Sequence, residues 1–542
     1  MKNLIILLIS LLQIASAQTI DKTKDVDAIL HSYCQPNEPG MVVGIIKDGK
    51  IIYKNAVGMA DLSHRIPLSD SSVFNIASIS KQFTAFLALI AVNEKKLELD
   101  DDIRKYLPEL ESLPHKISVR QLANHTHGLP NIDELLNLMG FGFEDPIPHS
   151  RTLEVALSIK QVNRKPGEKY EYGNTGFLLL AEILKRVYEE PFQSLLQKKV
   201  FAPLKMHNSR VIANADEVVT NKVQPYSRQD NAFVKFDNRQ IGFGPSNIHS
   251  SIDDMLKWAI NFLDPKLGNS NMFRAMMKNT VLNNNTPYEY GLGVQTESYK
   301  GLKIAFHGGG TAGYRAYILH VPEHNFSVIT LGNQAGFDGY FVAYQLVDLF
   351  LEDQQKLTPP VKTTFSKAEL KPLEGIYEMY PGNYYRITAT DSTVLFGSFD
   401  QEGSSPLPII GDNKFVFPFI PTASITFGKS AFDFRIADFT YICKKVEQPL
   451  KEIGNLEPEK YIGVYKNDEF KTSYEILLSD EQLVARHLLK GEISLYPLAQ
   501  DTFYSRAAYF TKLDFKLNEK QNMEGFLLSG QNLRNIEFKK IR

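Results

Sequence analysis

The sequence predicts an α+β domain of about 330 residues followed by two antiparallel β modules. Three observations carry that prediction. Strand-like alternation near the N-terminus gives way to a long stretch of helical periodicity, and strand-like runs return near residue 300. A polar segment with paired prolines interrupts the chain at 353–366. Beyond it, short alternating runs and turn dipeptides dominate, and part of that text repeats.

The first residues, MKNLIILLISLLQIASAQ, place Lys2 ahead of an apolar run at 4–14 and the small residues Ala15-Ser16-Ala17. This is the pattern of a signal peptide at 1–17, so the chain is expected to be exported, periplasmic or secreted after cleavage near Ala17. No later run approaches the roughly 20 apolar residues of a membrane span, so no stable membrane insertion is expected. A polar helix is expected over 21–34. MVVGIIKDGKIIYKNAVG then alternates into a hairpin about Asp48-Gly49, a dipeptide suited to positive-φ turns. Over 77–97 the period changes, with Phe83, Phe86, Leu87, Ile90 and Val92 loading one broad helical face. Further helices are expected at 152–161, 176–199 and 252–263. The runs KIAFH, YRAYILHV and FSVITLGN read as successive antiparallel strands, and a helix over 338–352 closes a domain spanning 18–352.

Residues 353–366, DQQKLTPPVKTTFS, read as a linker. Two β modules follow, at 367–448 and 454–542. Gly375-Ile376-Tyr377 is echoed by Gly463-Val464-Tyr465, and Tyr385-Arg386-Ile387 by Tyr474-Glu475-Ile476, at nearly the same offset. A repeated β module of roughly 80 residues is the simplest account.

Composition narrows the function. With 60 Lys and Arg against 62 Asp and Glu, the chain has no global basic field, so nucleic acid is not an expected partner. The two cysteines, Cys34 and Cys443, are too few for a disulfide scaffold and too far apart for a paired-cysteine zinc site. In an oxidising compartment they could pair, although nothing in the sequence brings them together. No cofactor and no metal are expected; His125 and His127 lack a neighbouring carboxylate cluster and read as structural. Gly308-Gly309-Gly310-Thr311-Ala312-Gly313 matches a dinucleotide fingerprint formally, but a strand-like run follows it where a helix is required.

Ser78-Ile79-Ser80-Lys81 lies where the hairpin region hands over to the first long helix. Ser78 is thereby placed at a helix N-terminus, where free N–H groups stabilise charge developing on oxygen. Lys81, three residues on, shares its face and can take the serine proton if its amine is desolvated. The spacing alone is equally that of an N-cap serine and a solvated lysine. Tyr172-Gly173-Asn174 offers a phenol and an amide for proton relay and substrate clamping. His307-Gly308-Gly309 ends a predicted strand with an edge that a substrate can approach.

In this order the three elements resemble the serine β-lactamase and penicillin-binding-protein superfamily, specifically the class C-like branch of esterases, DD-peptidases and D-aminopeptidases. Phe74-Asn75-Ile76-Ala77-Ser78, the text from Gln121 to Pro130, Phe201-Ala202-Pro203-Leu204 and Tyr290-Gly291-Leu292-Gly293 resemble that branch as well. The resemblance implies a β-lactamase-like catalytic domain, an antiparallel sheet plus a helical body, and two small antiparallel β-barrel (lipocalin-like) modules similar to those of D-aminopeptidases. It implies Ser78 as acylated nucleophile, Lys81 as its activating partner and Tyr172 as the relay that protonates the leaving group. Asn174 would orient the substrate amide. His307 would replace a strand lysine and make the local charge depend on pH. The N–H groups of Ser78 and Gly310, beside Gly309, would form the oxyanion hole. Two departures bear on pocket shape: His127 stands where relatives often have serine, and Gly-Pro-Ser-Asn at 244–247 replaces a glycine-rich loop. The implied activity is an exported serine hydrolase that forms an acyl-enzyme with a small peptide, amide or ester, cell-wall and D-amino-acid peptides foremost. A class C-like esterase or β-lactamase, and a non-catalytic cell-wall binding or sensor protein, stay open. The sequence carries no signal of oligomeric state. By analogy a loop from the trailing barrel, within 454–542, is expected near His307.

Overall fold

The computed structural model describes residues 22–356, 364–411, 413–418, 420–428, 430–436, 439–446 and 457–542. The expected signal peptide and the paired prolines of the expected linker lie outside the described residues.

Helix α1 (Thr23–Tyr33) leads into strands β1 (Met41–Lys47) and β2 (Lys50–Val57), joined where Asp48 and Gly49 adopt positive φ. The helical body contains α2 (Ser80–Asn93), α3 (Ile132–Leu138), α4 (Thr175–Tyr188) and α5 (Ile252–Leu263). Strands β3 (Gln295–Tyr299), β4 (Leu302–Thr311), β5 (Tyr314–Val321) and β6 (Phe326–Gly332) follow, and α6 (Gly339–Leu351) ends the domain. These strands form one antiparallel sheet in the order β3-β4-β5-β6-β1-β2. The N-terminal hairpin thus joins the C-terminal strands, with Met41 opposite Gly332.

Strand periodicity explains why these runs read as nearly continuous apolar text: both sheet faces are covered. Val42, Ile46, Ile318 and Ile329 point into the helical body, while Val43, Ile45, Leu319 and Val328 pack in the core that includes residues of α1 and α6. The expected helix over 176–199 is broken. Glu189 turns left-handed and Pro191 cannot continue the hydrogen-bond ladder, so a short helix (Phe192–Leu196) and a π turn (Gln197–Phe201) complete it.

The repeated text folds into two nine-stranded antiparallel sheets, each curled into a nearly closed barrel and sharing one strand order. Tyr377 faces Tyr385 in the first barrel as Tyr465 faces Tyr474 in the second. The Tyr377 hydroxyl donates to the carbonyl of Leu373, and Tyr465 donates to Tyr461, each four residues back. Such equivalence at the level of single bonds supports duplication rather than chance similarity. Cys34 and Cys443 are both free. The first is packed in the α1/α6 core and the second inside the first barrel, so the pairing that an oxidising compartment would allow is absent.

A loop of the second barrel docks on the helical body. The Asn532 N–H donates to both Glu134 carboxylate oxygens at 3.0 and 2.9 Å, and Arg534 reaches Glu171 at 3.3 Å. From the first barrel, the Tyr441 hydroxyl accepts from the Gln531 amide at 3.0 Å, so the loop is held from both sides.

Candidate active site

Ser78 is presented by a strained turn. Phe74 and Asn75 form a short strand against His249 and Ser250, and the Asn75 side chain accepts from the Ala77 N–H at 2.9 Å. Ala77 is held at φ +46°, a left-handed conformation costing about 1–2 kcal/mol for a residue with Cβ. A 3₁₀ turn (Ala77–Ile79) then runs into α2, leaving Ser78 half-buried between two buried neighbours. Opposite it lies the end of β4. Strand β3 pairs with β4 only as far as Phe306, so His307 to Thr311 have β5 on one side and an open edge on the other. Gly309 is required there, because a Cβ would come within 2.4 Å of the Ile76 carbonyl oxygen. Gly309→Ala is therefore expected to push the edge away from Ser78 and cut kcat/KM at least about tenfold, with a smaller loss of thermal stability. Parallel losses in both would show general unfolding instead.

Lys81 is fully buried. Its ammonium donates to Ser78 Oγ at 3.0 Å, Asn174 Oδ1 at 2.8 Å and the Pro245 carbonyl at 3.2 Å, and sits 4.8 Å from the Tyr172 ring centre. Burial pushes its pKa down to about 7 against the opposing pull of Asp133, so a neutral amine is accessible near neutral pH. The Gly-Pro-Ser-Asn segment serves this lysine: besides Pro245, Gly244 takes the Thr84 hydroxyl at 2.8 Å. At φ +101° Gly244 also fits where a Cβ would meet the Phe177 carbonyl oxygen at 2.2 Å.

Tyr172 packs at a tilt on His125, ring centres 4.3 Å apart, and lies 6.2 Å from His307. The histidines are tied together. Gly173 N–H approaches His125 Nδ1 at 3.4 Å, His125 Nε2 lies 3.1 Å from the Tyr290 hydroxyl, that hydroxyl 3.1 Å from His307 Nε2, and His307 Nδ1 2.6 Å from the Gly308 carbonyl. The Gly173 N–H can only donate, so His125 accepts on Nδ1 and donates from Nε2 to the Tyr290 hydroxyl; that hydroxyl can donate in turn to His307 Nε2, while His307 Nδ1 donates to Gly308. Burial, with Lys81 nearby, pushes His307 down to about 3 and His125 well below its usual value. The expectation that His307 makes the local charge depend on pH is therefore corrected: burial keeps the imidazole neutral near neutral pH, with both ring nitrogens engaged.

Asn174 bridges two groups, accepting from Lys81 on Oδ1 and donating from Nδ2 to Asp133 Oδ2 at 2.5 Å. Its second Nδ2 hydrogen is left for a substrate acceptor. Ser78, Asp133, Asn174 and Gly310 line two cavities that meet at Ser78. One of about 110 Å³ has an apolar wall of Ile132, Leu136, Leu178 and Ile241; the other, about 560 Å³, runs along the β4 edge past His307 and Gly309. A third, of about 390 Å³, lies behind Tyr172 and is walled by Tyr380 and Tyr441 of the first barrel and Asn532 and Arg534 of the second. The trailing barrel thus reaches the site at Tyr172, next to His307. Sequence reasoning missed Asp133, Tyr290 and the linking role of His125. Asp133 and Glu134 together in a helix's first turn read as favourable charge for the helix dipole, and no local pattern singles out either.

The sequence model described as Beta-lactamase matches residues 18–351, more than half of the chain. The chain belongs to the beta-lactamase family. Within this family it is 29% identical over 315 residues to a D-aminopeptidase of Brucella anthropi, covering 58% of this chain and 59% of that one. A D-aminopeptidase of Cereibacter sphaeroides is 30% identical over 302 residues, 54% and 57% of the respective chains. Both matches span less than two thirds of the relatives' own length. A penicillin-binding protein homologue from Pyrococcus abyssi superposes with a TM-score of 0.57 at 21% identity, covering 79% of this chain and all of that one. A class C beta-lactamase superposes at 0.52 with 24% identity, over 61% of this chain and 98% of that one. At such identities the likeness is one of fold, and it matches the sheet and helical body described above.

Proposed function

We propose that this beta-lactamase family member is a serine hydrolase that cleaves short D-amino-acid amides and peptides through an acyl-enzyme on Ser78. The observation that carries the reading is the buried Lys81 amine, 3.0 Å from Ser78 Oγ and with its pKa pushed down to about 7. In the neutral form it takes the serine proton as Oγ attacks the carbonyl. The N–H groups of Ser78 and Gly310 receive the oxyanion across the narrow gap that Gly309 permits. Tyr172, whose ring faces the Lys81 ammonium, gives its hydroxyl proton to the departing amine and is reprotonated from Lys81, so the serine proton ends on the leaving group. Water then attacks the ester, with the same groups acting in reverse.

The substrate class draws on the two D-aminopeptidase relatives and on the barrel loop that walls the cleft behind Tyr172 and favours short substrates. Export, and with it cell-wall peptides as a source of D-amino acids, rests on Lys2, the apolar run at 4–14 and Ala15-Ser16-Ala17. The purified full chain should hydrolyse D-alanyl p-nitroanilide at least about tenfold faster than the L-isomer, and faster than a chromogenic cephalosporin. Preference for the L-isomer, or turnover of p-nitrophenyl acetate with none of the alanyl amides, would replace this reading by that of an esterase.

A further inference from the structure

The inference rests on the serine hydrolase reading above and names the group its site recognises. Asp133 is the second residue of α3, and its carboxylate lines both cavities that meet at Ser78. Its partners are amides, Asn174 Nδ2 at 2.5 Å and the side chain of Asn131. No lysine, arginine or histidine of the described residues forms an ion pair with it, although acidic side chains on this domain commonly have such a partner. Lys81 reaches it only through Asn174.

Burial raises the Asp133 pKa and the Lys81 ammonium across Asn174 opposes that rise, an attraction lost at the step where Lys81 becomes neutral to act as base. The imidazoles of His125 and His307 add no charge near neutral pH, because burial holds both below their usual range. A cationic group on the substrate would restore what the neutral lysine no longer supplies. We propose that Asp133 receives the free α-ammonium group of the substrate's acyl residue and so restricts the enzyme to unblocked N-termini.

The arrangement also disfavours the alternative. An N-acylated substrate would put a neutral amide N–H where the ammonium sits, leaving the carboxylate's charge uncompensated, and would have to fit its acyl group beside it. The small cavity beyond, walled by Ile132, Leu136, Leu178 and Ile241, leaves room for a modest side chain on the same α-carbon. An ammonium on Asp133, a carbonyl on Ser78 and a side chain in this cavity together fix an amino-acid acyl group at three points.

The test compares D-alanyl, propionyl and N-acetyl-D-alanyl p-nitroanilides on the wild-type full chain and on Asp133→Asn. The wild type is expected to prefer the D-alanyl amide over its des-amino and blocked counterparts by roughly 10²-fold in kcat/KM, the size of a lost charge-assisted hydrogen bond in a buried site. In Asp133→Asn that ratio should fall to within about tenfold, whatever happens to absolute rates. A residue that merely positions Asn174 and Lys81 would slow all three substrates together and leave the ratio unchanged; that result overturns the proposal, as does a wild type with no preference for the free amine. If Asp133→Asn does not fold, Asp133→Glu, which keeps the charge, should keep the preference, and its loss there counts against the role. Stereochemistry separates the two readings: L-alanyl preferred over D-alanyl defeats the D-aminopeptidase assignment, while the amine ratio, read on the L-pair, still judges Asp133.

Discussion

Ser78→Ala is expected to abolish covalent labelling by a fluorophosphonate and to lower turnover at least about 10³-fold. The hydroxyl is the only group of the cluster that can form the acyl bond while Lys81 stands 3.0 Å away to take its proton. Its loss should leave the fold in place. Ser78 is half-buried, its side chain contributes no apolar packing, and the Ala77 turn is held by Asn75 and by the close fit of Gly309 rather than by the hydroxyl. Intact-mass measurement of the labelled protein and a melting curve decide the matter together. Labelling that survives in a folded Ser78→Ala protein would place the nucleophile elsewhere.

Local pattern was enough for much of the fold. The Asp48-Gly49 hairpin, α2 and the strands β4 to β6 follow from periodicity and turn chemistry, because each is specified by residues close in sequence. The repeat at Gly375 and Gly463 proved legible for a different reason: matching tyrosines occupy matching register positions, so the text echoes wherever the bonds do. What could not be read is tertiary. Nothing in MVVGIIK says that it pairs with a strand nearly 300 residues later, yet the sheet is completed only by that pairing. The two cysteines illustrate the same limit, since which core each enters is decided by packing.

The site divides along that line too. Ser78 and Lys81 are legible because one helical turn carries both, and Tyr172, Asn174 and His307 because their local text resembles a family. Burial is not legible. His307 read as a titrating group, whereas desolvation holds it neutral, tied through Tyr290 to His125. Asn174 read as a substrate clamp, and nothing local showed that its amide also ties Lys81 to Asp133, 41 residues before it.

Lys81→Ala is expected to reduce kcat/KM by about 10²- to 10⁴-fold, the usual range for a proton-transfer partner. The pH profile identifies the lysine more sharply than the size of the loss. On the proposed mechanism the neutral amine is the base, so with its pKa lowered to about 7 the wild-type kcat/KM should rise with pH up to about that value. Below it, activity should fall about tenfold per pH unit as the ammonium forms. The histidines cannot produce such a limb, because burial places His307 near 3 and His125 well below its usual value. Carboxyls raised by burial can: Asp133 in the cleft, and Glu134, raised to about 7, which holds the second-barrel loop through Asn532 and would lose that charged hold on protonation. Lysine and carboxyl origins separate by substitution. Glu134→Gln should keep the acid limb, and in Lys81→Ala the residual activity should lose it. If the limb instead vanishes in Glu134→Gln and survives in Lys81→Ala, the pH dependence belongs to the docked barrel loop, and Lys81 is not the base.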